Sequence, residues 1–463
     1  MDTPPNRRSP LLPAMFVWLA ACADRPVAVE SETTTSASSS ASSSASSGDL
    51  PGTPTTTDPS PTDSAAGSDE TTGDPATFCG PCPVTWESES DVDITPDTDL
   101  AQFACLGAVN GKLTVAGHRS ASELAALASL TRVTGYFSFG YNAKLTDLAP
   151  LSCLREVDLL DLSELPNLTD ASALANLEHT RFIGFTRTGI VALPAFAPGF
   201  HGLESVSFID NVDLIDVSAA AGWHAAPDDP DPQKNMFGVL NSPALTSLDG
   251  FQELAQVLDI LGVEQTGITS LTGLETLAGD HVHLTLRDLP ALASLDGLEG
   301  LTGGDLWLEN LPLVPDIESL TGIEEMIGLT IDRLPLVQSL TPLADLRAID
   351  QLVLAALPNV PTLAPLAKLE SVPWRLSIGS CSDGLDGITD LTGLGSLKWV
   401  RNLQIGNNDN LASLAGADGL LQLQYLDADN NPKLDPAAID ALSTMVAPPA
   451  QLCSECDLCS TFH

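Results

Sequence analysis

Cations are scarce in this chain of 463 residues: 19 Lys and Arg stand against 61 Asp and Glu, a formal charge of −42. Such a chain repels phosphate and carries no basic stripe, so nucleic acid is not an expected partner. The same shortage argues against charge-driven adhesion to anionic lipid. Aromatic residues make up only 5% of the sequence. No apolar run reaches the roughly 20 residues that a membrane-spanning helix needs. Catalytic signatures are also missing: there is no G-x-S-x-G, no H-E-x-x-H, no phosphate loop, and no G-x-G-x-x-G after a strand pattern. An enzyme is therefore not expected, nor a cofactor. What remains is a 43% hydrophobic chain whose apolar content is mostly leucine, enough to bury a large core.

The first residues read as an address. Arg7 and Arg8 precede an apolar run from Leu11 to Ala21, a secretory pattern. The run ends in Leu19-Ala20-Ala21-Cys22, which resembles the lipobox of bacterial lipoproteins. That resemblance implies cleavage before Cys22, acylation of its thiol, and anchoring in a bacterial cell envelope. An ordinary secretory peptide is the alternative. Without residues 1–21 the chain keeps 17 cations and 60 acids. Residues 22–78 form a Ser/Thr/Pro/Asp-rich tether: 31–77 hold seven acids, no Lys or Arg, and Leu50 as the only large aliphatic residue. Such a segment buries nothing and is expected to be extended.

Beyond it the chain repeats. The unit reads L-x-L-x-x-(N/L)-x-x-L-x-x-L-x-x-L, with clear copies from Leu284 to Leu298, Leu329 to Leu340 and Leu352 to Leu363. We anchor each unit on the second residue of its L-x-L pair. The anchors are Val115, Phe139, Leu162, Phe182, Phe208, Val239, Ile260, Leu286, Leu308, Ile331, Leu354, Ile378, Ile405 and Ala428, fourteen in all, with a mean step of about 24. An L-x-L pair has the period of a strand, so both side chains point to one side. The x-x-L steps suit a returning arm of loose turns or 3₁₀ structure. One unit cannot bury its own leucines, so the stack is the core. Three residues after the anchor stand Asn142, Asn211, Asn408 and Asn431, suited to bonding the turning backbone, or an inward leucine. Cys381 takes that place in its unit and is expected as a buried thiol.

This pattern resembles the leucine-rich repeat, and Gly111 to Val115 and Gly328 to Ile331 resemble the related receptor L domain. The resemblance implies an α/β-type solenoid: short parallel strands on one face, turns and short helical arms on the other. The expected layout is a signal peptide (1–21), the tether (22–78), an N-terminal cap (79–110), the repeats (111–447) and a C-terminal Cys cap (448–463). Two steps depart from the period. Leu162 to Phe182 spans 20 residues, and Phe208 to Val239 spans 31 through an insert at Ser218–Met236.

The cysteines gather at the ends. Cys79, Cys82, Cys105, Cys153, Cys453, Cys456 and Cys459 are disulfide candidates in an exported chain, with connectivity open. Zinc on the C-x-x-C-x-x-C of the C-terminus is the rival reading. His281-Val282-His283, the Asp427/Asp429 pair and the Asp/Asn-rich surface suggest metal or acid–base chemistry only weakly, and no metal site is assigned.

Residues at anchor −3, −1, +1 and +2 face away from the core. In the middle units they gather His283, Arg287, Trp307, Glu309 and Arg333, where scarce cations meet an aromatic expected to be exposed. Exposed Trp and Arg recur at binding hot spots. Thr330 is expected at the surface beside them, and Val353, Ala355 and Ala356 as a smooth apolar strip. The sequence thus points to a non-enzymatic surface lipoprotein that binds a protein or polysaccharide. A structural envelope component is the alternative.

Overall fold

The computed structural model describes residues 79–452, apart from 118, 226–235, 257, 381 and 447. The expectations for Cys22, the tether, Cys381 and the three C-terminal cysteines lie outside those residues. Among the described residues, eighteen strands form a single sheet in which every pairing is parallel. The strands follow one another in chain order through the repeats, from Leu113–Val115 to Gln422–Asp427. A parallel neighbour requires a crossover, and each x-x-L arm supplies one. Short 3₁₀ turns such as Ala149–Leu151, Glu318–Leu320 and Thr341–Leu343 occupy those arms.

The core follows from the leucine spacing. In the central units both members of the L-x-L pair are buried, as at Leu284 and Leu286, Leu306 and Leu308, and Leu329 and Ile331. The leucines of the arm, including Leu289, Leu292, Leu295 and Leu298, meet them from the other side to form one continuous hydrophobic cluster. Several units carry a second buried rung ahead of the motif. Val133 pairs with Val157, Met326 with Ile349, and Val372 with Val400, so strands lengthen to as many as ten residues in Glu156–Leu165. The strands are longer here than the L-x-L pair alone suggests.

Pairing corrects two anchors. Leu162 lies opposite Phe185, not Phe182, and Val239 opposite Val263, not Ile260. Phe182 and Ile260 sit three residues ahead of the true anchors, on the outward side. The 20-residue step disappears, because an aromatic at the outward position mimics the start of a strand pair. The 31-residue step is real. There Phe196, Trp223, Phe237 and Phe251 crowd the interior, with ring centroids 4.8 Å apart for Phe196–Trp223 and 4.4 Å for Phe237–Phe251. Leu385, seven residues after the anchor Ile378, is fully buried, and its N–H donates to Asn408 Oδ1 at 2.8 Å. The unit therefore carries an inserted loop ahead of Leu385.

Asparagines lock adjacent units as their position suggests. Each donates Nδ2 to the anchor carbonyl of the preceding unit: Asn142 to Val115 at 2.9 Å, Asn211 to Phe185 at 2.7 Å, Asn408 to Ile378 at 2.9 Å and Asn431 to Ile405 at 2.8 Å. A buried amide with its donors met stabilises the stack, whereas an unmet one would cost about 1–3 kcal/mol.

At the N-terminal end the ladder begins inside the segment expected as a cap, with Trp86–Ser88 and Val92–Ile94. Disulfides join Cys79 to Cys153 and Cys82 to Cys105, closing separations of 74 and 23 residues. The chain-entropy argument gives each about 3–5 kcal/mol before strain and nesting are considered. At the other end the helix Pro436–Met445, N-capped by Asp435, leads to the strand Gln451–Leu452, which pairs beside Tyr425 and Leu426.

Candidate functional site

Outward side chains stand in register across neighbouring strands. His283–Arg287 and Asp305–Glu309 pair so that His283 faces Asp305, Thr285 faces Trp307, and Arg287 faces Glu309. The strand Glu325–Asp332 continues the rows, with Thr330 beside Trp307 and Asp332 beside Glu309. The five candidate residues therefore share one patch of three strands, with Arg333 at its edge.

Their states differ from the expectation in one respect. Trp307 is half-buried rather than exposed, and its Nε1 donates to Glu309 Oε2 at 2.8 Å. Arg333 also reaches Glu309, and lies 3.5 Å from Asp332. Arg287 Nη2 lies 2.7 Å from Glu264 Oε2. His283 Nδ1 lies 3.7 Å from Asp305. Thr330 is 7% exposed and not a surface residue, because Trp307 and Val353 flank it in the row. Ala355, expected in an exposed strip, is buried, while Val353 and Ala356 are half-buried. A small residue between larger neighbours on a pleated sheet is covered by them whichever way it points.

The cations act first within the chain. Arg187 bridges Glu164 at 2.5 Å and Asp210 at 3.0 Å; Arg181 bridges Asp158 at 2.6 Å and Glu204 at 3.3 Å. These partners sit 23 residues away on either side, so each guanidinium clips three successive units. The Arg181 hydrogen bond holds the Asp158 carboxyl below its usual range. Where burial outweighs such relief, acids move the other way. Burial pushes Glu264 up despite Arg287. Burial also raises Asp332, with Arg333 opposing and Glu309 and Asp383 adding repulsion. Asp427 is raised by burial and by Asp429. Arg181, Arg187, Arg287 and Arg333 are thus each paired with acids of the chain. No group of three or more His, Cys, Asp or Glu suited to a metal occurs among the described residues.

Repeating strand–turn–arm units, one parallel sheet, inward leucines and asparagine locks define the architecture. The fold is that of leucine-rich-repeat proteins. A leucine-rich-repeat protein of Leptospira interrogans shares 17% identity over 76% of this chain and 91% of that one, with a TM-score of 0.42. An internalin of Listeria monocytogenes shares 16% over 79% and 86%, with a TM-score of 0.40. The TLR13 chain of a complex with single-stranded RNA shares 14% over 77% and 64%, with a TM-score of 0.43. No protein-family model and no curated protein sequence matches the chain.

Two features escaped the sequence reading. Trp399 is 45% exposed, more open than Trp307, but it belongs to the additional strand rung, outside the L-x-L frame. The second feature is a depression of about 300 Å³ lined in part by Arg333, Pro312, Pro335 and Pro358. Its sequence signal was present: Leu-Pro recurs at 311–312, 334–335 and 357–358, placing a proline four residues after each anchor.

Proposed function

We propose that this is a non-enzymatic binding protein of a bacterial cell envelope, held by lipid on Cys22, whose outward sheet face engages a protein or polysaccharide. The observation that carries the reading is the mid-sheet patch of Trp307, Glu309, Arg287, Arg333 and His283 on three adjacent strands. Glu309 accepts from both Trp307 and Arg333, so these side chains are held in fixed rotamers before any partner arrives. Preorganisation of that kind lowers the ordering cost of association. A long sheet with a fixed pattern of aromatic, donor and acceptor groups suits a broad surface better than a small metabolite.

The test uses the full chain against envelope extracts and intact cells, with the captured component then titrated. Trp307→Ala is expected to weaken binding by about 1–2 kcal/mol with little change in melting temperature. Unchanged affinity in both Trp307→Ala and Arg333→Ala moves the binding site off this patch. For the anchor, Cys22→Ala is expected to release the protein from the membrane fraction, and retention there means another anchor.

A further inference from the structure

We propose that the depression at the C-terminal ends of the central strands binds a basic side chain, arginine or lysine, of a protein partner. The inference rests on the reading of a protein-binding face and names the chemistry that one part of it selects. The depression measures about 300 Å³, at the small end of the range for ligand sites, so it suits a side chain better than a folded element. Three prolines line it, Pro312, Pro335 and Pro358, at the same offset in each of three successive units, so that they form a proline shelf along the stack.

The end wall comes from the loop inserted ahead of Leu385. That loop seats tightly on the next unit: a Cβ added at Gly384 would stand 1.9 Å from the Asn407 carbonyl oxygen. It contributes Asp383 and Gly384 to the lining, and Asp386, just past Leu385, joins them alongside Arg333. Arg333 is already engaged by Glu309 and Asp332, so its charge is spent within the chain. Asp332 Oδ1 is buried with no hydrogen-bond partner, and Asp383 repels its carboxylate. Glu309 and Asp332 pair with Arg333, and Asp383 and Asp386 line the same depression with no further cation in its lining. An anionic occupant would be repelled, and a neutral apolar one would leave the acids uncompensated. A lysine or arginine lays its aliphatic stem on the proline shelf and brings its cationic head to Asp383 and Asp386.

The test titrates the full chain with acetyl-Ala-Arg-Ala-amide and with its citrulline analogue at about 0.15 M salt, where long-range attraction to an acidic protein is largely screened. The expected result is binding of the arginine peptide, about fivefold or more weaker for citrulline, with a similar loss in the double variant Asp383→Asn and Asp386→Asn. Both changes keep side-chain shape, and an unaltered melting temperature establishes folding. A control of equal charge change, Asp97→Asn with Asp213→Asn, is expected to bind as the parent does. Three results would overturn the proposal: no binding at millimolar peptide, equal affinity for citrulline, or indifference to the pocket variant. The sheet-face reading is judged separately, by the effect of Trp307→Ala on the captured partner.

Discussion

Asn408 offers a sharp test of how the units are held together. It is fully buried; Nδ2 donates to the Ile378 carbonyl at 2.9 Å, and Oδ1 accepts from Leu385 N at 2.8 Å. Its own N–H and Nδ2 both reach Asn431 Oδ1, at 3.1 and 3.2 Å. The Ile378 carbonyl keeps a second donor, Gly406 N at 3.0 Å. Truncation in Asn408→Ala thus strands chiefly the Leu385 N–H. An unsatisfied buried donor costs about 1–3 kcal/mol, and the vacated volume adds to it, so the expected loss is about 2–4 kcal/mol. Asn408→Asp keeps the Leu385 bond but turns its other oxygen toward two acceptors. The introduced carboxyl must hold a proton there, so its folded pKa lies above its unfolded value. Stability is then fullest at low pH and falls as pH rises toward the folded pKa, at up to about 1.4 kcal/mol per unit. Repeat arrays unfold piecewise, so amide exchange at Leu385 and Asn431 is the primary assay, with urea midpoints at several pH values as support. A cost below about 0.5 kcal/mol for Asn408→Ala, or an Asn408→Asp deficit that grows toward acid, would refute the reasoning.

Other predictions follow from the same geometry. Ala356 sits at φ 48°, two residues after its anchor, where Tyr141, Glu164, Asp288, Asn310 and Arg333 also adopt positive φ. Ala356→Gly is expected to raise stability by up to about 1 kcal/mol, against the usual cost of glycine, because the Cβ strain disappears; denaturant midpoints check this. Asp332→Asn removes a buried charge repelled by Glu309 and Asp383. Because the Asp332 pKa is raised on folding, the variant is expected to be as stable as the parent or more so at neutral pH. That advantage should shrink as pH falls through the folded pKa, as paired melts from pH 4 to 8 would reveal. Cys153→Ser opens the bridge to Cys79 and is expected to cost about 2–5 kcal/mol, with early exchange confined to the first units.

The period of the repeat, the inward leucines, the outward rows and the asparagine locks were legible in the sequence. Each depends on local spacing: a strand alternates side chains, an arm returns every third residue inward, and a polar residue after a strand meets the turning backbone. The five candidate residues came together for the same reason, since equal offsets from successive anchors place side chains in one row. Phase within a unit was less secure. Phe182 and Ile260 imitate anchors, and only pairing with the neighbouring strands shows that Phe185 and Val263 take those places. Relations between units belonged to the tertiary structure alone. The spacing of cysteines does not choose Cys79–Cys153 over other pairings. Arg287 and Arg333 read as open cations until the stack sets Glu264 and Glu309 beside them. The burial of Thr330 depends on the size of its neighbours in adjacent units. The pocket at Arg333 exists because an insertion near Leu385 folds against prolines from three earlier turns of the chain. Spacing along the chain sets which way a residue points, but what it meets there is decided by residues some 23 positions away, brought beside it when the units stack.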